Sequence, residues 1–391
     1  MLKCASVYTY EIDDPKVALE EIEAQLNEKI TILEHSIGII MCHAEFISSG
    51  VLKHISENLP FDLVGVTTSS QAVNGEAGEL ILTIFVMTSD DAWFITGVTE
   101  SVDEDIYGPT RAAFNKVAAG VSEMPKLALI FPPYILKRAG DTYINTWKQI
   151  IPDTPFFGPI ATDDTHTFEE NEAIYKGESY KTAMPFVLCY GNINPRFLVG
   201  TLPEDKVMPY KGEITKSSGS FVQEINNINA HKYFESIGFV GDSGLVKSSR
   251  SVPFIIDQKK REDYDGIPVI RVHRSFTEDG AVIFSGNVDE GSIFTLLTID
   301  PGDVLSTTRQ KIEQVNELND VNGVLMFPCI VRRMMTMRLD PLIELTMVKN
   351  TINPSIPFMM GYSGGEVCPT SIKNGIPANR FHNYSLIILV V

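Results

Sequence analysis

Residues 357–369 read PFMMGYSGGEVCP, an apolar run that breaks into three glycines, a serine and an acid. Residues 357–360 have the texture of a buried strand end, and Gly361, Gly364 and Gly365 let the backbone turn sharply or approach another group closely. Neither GxxxxGK[ST] nor GxGxxG spacing is present, so a phosphate cradle is not indicated. A glycine turn demanded by the scaffold and a ligand-binding loop both remain open at this point.

Recurrence gives the stretch its meaning. The order strand, helix, strand ending in Gly, loop and hairpin runs from SIGIIMCH through FDLVGVTT to ELILTIFVM and AWFITGV. It returns in KLALIFPPY, TPFFGPIATDD, AMPFVLCYG and PRFLVGTL, and again in NGVLMFPCIV, IPFMMGYSGGE and NYSLIILVV. The three junction glycines are Gly65, Gly158 and Gly361. Residues 14–29 predict an amphipathic helix with an acidic cap, an early proline and apolar Val17, Leu19, Ile22 and Leu26. Residues 209–300 read mostly as strands, with a hairpin turning at Asp279-Gly280. The fold class expected is α/β, with repeated strand-helix-strand-hairpin units in two halves and mixed sheets covered by helices. A composition shift near residue 203 divides the chain into 1–202 and 203–391, which suits 391 residues because single cores stop growing near ~250–300 residues.

Fifty acidic against 32 basic side chains give a net charge of −18, which argues against nucleic acid or an anionic membrane as partner. No apolar run reaches the ~18 residues of a membrane span and the N-terminus lacks a signal-peptide pattern, so a cytoplasmic protein is expected. Five scattered cysteines without CxxC fit free thiols, and neither HExxH nor HxH occurs, so no metal is expected.

FPCIVRR at 327–333, IPFMMGYSGGEVCP at 356–369 and NRFHNYSL at 379–386 resemble the C-terminal half of FIST domain proteins. That half carries a strand ending in Cys-x-x-Arg, another ending in Gly-[aromatic]-x-x-Gly-Glu, and an Asn/Phe/His-rich entry to the last strand. YEIDDPKVALEEI, FDLVGVTTSSQAVNGE and LTIFVMTSDDAWFITGV resemble the N-terminal half, and AVIFSGNVDEGSIFTLL the segment before the closing helix. The resemblance implies a cytoplasmic sensory module for a small ligand, with amino acids or similar zwitterions as the ligand class. It also implies a separate signalling protein as partner, such as a histidine kinase or chemoreceptor, because the chain has no room for an output domain. Some members bind heme and respond to nitric oxide.

Arg332 is the sharpest candidate, since an Arg after an apolar strand can grip a ligand carboxylate with two hydrogen bonds, unless it pairs internally with Glu366. Glu366 is the candidate for a ligand ammonium, with Gly361, Gly364 and Gly365 opening the loop. Arg333 is expected on the solvent side. Cys329, three residues before Arg332, is a conceivable nucleophile with His382 as base, which makes a hydrolase the enzymatic alternative. Thr67, Thr68, Asn74 and His43 are polar candidates in the first half. For heme, His43, His273 and His382 are available and no CxxCH is present, so no cofactor is expected and heme stands as the alternative.

Overall fold

The computed structural model describes residues 1–165, 168–203, 206–239, 253–258 and 266–391. Each repeat begins with two parallel strands joined through helix: His35–Cys42 with Asp62–Thr67, Leu127–Ile130 with Phe156–Pro159, and Val324–Pro328 with Phe358–Gly361. A small hairpin follows each pair, and a longer strand returns antiparallel to the first: Leu82–Ser89, Ala183–Gly191 and Leu386–Val390.

The hairpins are exchanged around a ring. Gln71–Val73 of the first repeat pairs with Phe358–Gly361 of the third, Ala173–Tyr175 of the second with Asp62–Thr67 of the first, and Glu366–Lys373 of the third with Phe156–Pro159 of the second. Three six-stranded mixed sheets result, each built from more than one repeat. Lys3–Thr9, Ala92–Ser101 and Arg196–Gly200 take the equivalent outer place beside the three return strands.

The exchange corrects two expected hairpins. Leu82–Ser89 and Ala92–Ser101 do not pair with each other: the first lies between Lys3–Thr9 and His35–Cys42, and the second pairs with Ala183–Gly191. Likewise Arg196–Gly200 leaves Ala183–Gly191 and joins Leu386–Val390. The Asp90-Asp91 link has no residue with positive φ, which tight two-residue hairpin turns require. Asp279-Gly280 has one, Gly280 at φ 82°, and there the expected hairpin forms between His273–Phe276 and Val282–Phe284.

Gly65 stands opposite Ile40 in its parallel pair, and a Cβ there would run into the Ile40 carbonyl oxygen; on Gly158 it would strike the Ile130 carbonyl, and on Gly361 the Met41 sulfur. Backbone crowding therefore demands glycine at Gly65 and Gly158, whereas at Gly361 the flexible Met41 side chain would have to move aside. The inner faces of the three sheets share one core containing Met41, Val66, Leu129, Phe157, Leu325, Phe327 and Met359. Helices cover the outer faces. Pro15–Lys29 starts on an Asp14 cap with Pro15 in its first turn and buries Ala18, Ile22 and Leu26, whereas the expected Val17 points outward. Asp141–Ile150 buries Tyr143, Ile144 and Trp147, and Pro301–Asn316 with Ile343–Thr351 buries Val304, Ile312, Leu345 and Val348.

Between the second and third repeats lies an antiparallel module whose core is rich in phenylalanine, among them Phe234, Phe254, Phe284 and Phe294. Arg271 locks it onto the ring: its guanidinium donates to both Asp141 carboxylate oxygens at 3.1 and 3.2 Å and to the Phe381 carbonyl at 2.9 Å, all buried.

Candidate functional site

Where the module meets the ends of the parallel strands, a cavity of about 230 Å³ opens. Tyr134 and Leu136 reach it from the segment after Leu127–Ile130, Cys329 to Val331 and Met334 from the segment after Val324–Pro328, and Gly364 from the loop after Phe358–Gly361. The module contributes Val272 to Ser275 and Ser285, and Asn383 closes the floor. Ligands of open α/β sheets characteristically bind beyond the strand C-termini, and each of these ring segments follows one.

Two features make the lining more than a packing defect. Among the described residues, the Oδ1 of buried Asn383 lacks a hydrogen-bond partner; both ring nitrogens of His273 lack one too, but that ring packs against Phe239, Phe276 and Phe284 in the module core. Burial holds the His273 imidazole neutral by lowering its pKa to about 4. Arg274 donates through Nε to Ser285 Oγ at 3.2 Å and through Nη1 to the Leu136 carbonyl at 2.6 Å, while its Cζ sits 5.0 Å from the Tyr134 ring centre. Its Nη2 donates to no described residue, which leaves a cation anchored at one end and open at the other.

Of the residues singled out from the sequence, Cys329 and Gly364 line this cavity. Arg332 does not. It lies within the helix Ile330–Thr336 instead of following directly on a strand, and is wholly buried. Its Nε and Nη2 reach Glu344 Oε1 at 3.0 and 2.9 Å, Nη1 reaches the Tyr384 carbonyl at 3.0 Å, and Nη2 also reaches Thr308 Oγ1 at 2.6 Å. The internal partner is thus Glu344, not Glu366, and Tyr362 Oη occupies the second Glu344 oxygen at 3.0 Å. Arg333 is also tied down, to Glu79, instead of facing open solvent.

Glu366 is fully buried below the cavity wall, with Ser363 Oγ donating to Oε1 at 2.7 Å and Oε2 unpaired. Burial raises its carboxyl well above the usual range, which disfavours the negative charge that an ammonium would need. Cys329 lies beside it, and burial, followed by the neighbouring Glu366 carboxyl, raises the thiol, which opposes thiolate formation. His382 Nε2 bonds the Cys368 carbonyl at 3.0 Å, and burial lowers its pKa to about 4. The Cys329 and His382 side chains therefore do not form an activated pair.

The remaining candidates are structural ties. Thr68 Oγ1 donates to the Tyr362 carbonyl at 2.7 Å, and Thr67 Oγ1 accepts from the Glu172 amide at 2.9 Å. Asn74 Oδ1 accepts from the Phe358 amide at 2.9 Å, and His43 lies 3.4 Å from Asp164. Gly361 is a junction glycine, Gly364 N–H bonds Ile160 O, and Gly365 O accepts from Ile160 N–H. Arg274 and Asn383 had no assigned role, although both lie in stretches already notable: Arg274 next to His273, and Asn383 inside NRFHNYSL.

Among the described residues no cluster of three His, Cys, Asp or Glu side chains could hold a metal. The cavity is smaller than the roughly 300–1,000 Å³ typical of drug-sized ligands. No helix among the described residues is long and apolar enough to cross a membrane.

No curated relative matches the chain. Two solved structures are distantly similar: a cyanuric acid hydrolase from A. caulinodans, 9% identical over 100% of this chain and 98% of that one with a TM-score of 0.31, and a second cyanuric acid hydrolase, 8% identical over 76% and 99% with a TM-score of 0.26. Likeness at that level carries no argument about chemistry. The family comparison is different in kind, because the FIST N domain matches residues 36–228 and the FIST C domain residues 231–369. With both domains present in order over most of its length, the chain belongs to the FIST family of small-ligand sensory domains.

Proposed function

We propose that the protein is a small-molecule sensor whose ligand occupies the cavity lined by Arg274 and Asn383. The observation that carries this reading is the Arg274 guanidinium, anchored at one end only, in the same lining as the Asn383 Oδ1 that no described residue satisfies. Leaving such a group unpaired costs about 1–3 kcal/mol, and a bound molecule is the natural recipient of these hydrogen bonds. Arg274 supplies the carboxylate anchor expected of an amino acid or similar small acid, in place of Arg332. The output partner is a signalling protein of the histidine kinase or chemoreceptor class, as the family membership implies.

A thermal-shift screen of small carboxylic and amino acids tests this. Ligand at 100 times its dissociation constant stabilises the fold by about 2.7 kcal/mol, and Arg274→Ala should abolish that increment. A ligand that stabilises the parent and Arg274→Ala equally would place the site elsewhere.

A further inference from the structure

The chemistry of the ligand can be read from the cavity walls. Among the described residues the lining carries one cation, Arg274, and no carboxylate. An ammonium bound there would stand in a low-dielectric site with no opposite charge and with a guanidinium nearby, which burial of charge strongly disfavours. A second carboxylate would find no second cation, since the lining holds only the one guanidinium. Asn383 Oδ1 is a neutral acceptor, so it compensates neither charge, and it would meet a carboxylate oxygen acceptor to acceptor.

The rest of the wall is largely apolar. Phe168, Val272, Ile330 and Val331 belong to a core cluster built mainly by the third repeat, and Tyr134 and Met334 pack against it. A ligand held on Arg274 thus meets surface continuous with the hydrophobic core, which rewards an apolar body and offers nothing to a second charge. We infer that the site takes a small apolar monocarboxylic acid in preference to an amino acid or a dicarboxylic acid: the carboxylate on Arg274 Nη2, and a branched or aromatic body against Ile330, Val331 and Met334. This rests on the cavity being the ligand site, and it reverses the zwitterion preference expected from the family resemblance.

Calorimetric titration of the intact protein decides the matter with acids that differ only in the substituent on the carbon next to the carboxylate. One set is isovalerate, valine and isopropylmalonate, and the other phenylpropionate, phenylalanine and benzylmalonate. Within at least one set the monocarboxylate should bind about tenfold or more tightly than both analogues, because each of them buries an uncompensated charge. Acetate, which keeps the carboxylate and lacks the body, should bind about tenfold or more weakly than the better monocarboxylate. Arg274→Ala should weaken that ligand by about thirtyfold or more. Arg274 is only partly buried, so this variant should fold; if it does not, the parent titrations decide alone. An amino acid, a diacid or acetate binding as tightly as the monocarboxylate, with Arg274 dependence kept, overturns the inference and leaves the site in place. Absence of binding by both monocarboxylates also overturns it. Binding that Arg274→Ala leaves unchanged overturns the site as well.

Discussion

Two arginines of this protein sit near the same end of the ring and have opposite surroundings. Arg332 is enclosed with Glu344, Thr308 and the Tyr384 carbonyl, each of its three nitrogens engaged and a second tyrosine completing the carboxylate. Arg274 is anchored on one side by Ser285 and Leu136 and opens on the other into a cavity whose lining includes the unpartnered Asn383. Satisfaction of buried polar groups, more than the presence of an arginine, separates a structural cluster from a binding site. The closed cluster ties helices of the third repeat together, and the open one is the candidate site of the proposed function.

The largest effect that could break this contrast belongs to the closed cluster. Arg332→Met should destabilise the fold by about 3–5 kcal/mol in urea denaturation, because it strands the Glu344 carboxylate. The double variant Arg332→Met/Glu344→Leu should recover more than half of that loss. A single variant of parental stability would show the pair to be dispensable.

Next in size is the acid limb of the stability curve. His273 and His382 are held neutral, with pKa values lowered from 6.5 to about 4, so the unfolded chain binds more protons over that interval. Stability should therefore fall as pH drops from 6.5 towards 4, and His273→Leu should remove part of the slope. A thermal midpoint that is flat across this range in the parent would contradict the buried neutral histidines.

Thr68→Val sharpens the contrast within the residues that sequence alone put forward. It deletes one hydrogen bond to Tyr362, so a cost of about 1 kcal/mol with ligand affinity unchanged is expected in paired denaturation and titration. Loss of binding would return Thr68 to the site. The smallest effect belongs to Glu366→Gln, which replaces a protonated carboxyl by a neutral amide. The folded carboxyl titrates above its unfolded value of 4.5, so its contribution is complete below that pH and is lost as pH rises towards the raised pKa. The variant should thus gain on the parent as pH rises above 4.5, and a gain in the opposite direction would mean an ionised, paired Glu366.

The recurring strands and junction glycines were legible because continuous apolar runs and backbone crowding are local signals. The exchange of hairpins was not, since which edge Gln71–Val73 or Glu366–Lys373 joins depends on partners hundreds of residues away. The Asp90-Asp91 crossing carried a usable hint, the missing glycine. Of the cavity's lining, Cys329, Gly364 and the stretch around Asn383 had been singled out by motif. The partner of Arg332 was misread because Glu344 sits on a neighbouring helix, and Arg274 went unassigned because an arginine within a strand has no pattern that announces an open end; His273 was named only as available for heme.

Arg274→Ala puts the central claim to the most direct test, measured as the thermal midpoint with and without a small acid that stabilises the parent. The ligand increment should vanish, because the anchor for the carboxylate is removed, while the apo midpoint should change less, since Arg274 is only partly buried. An intact ligand increment would mean that the cavity is not where the protein senses its ligand.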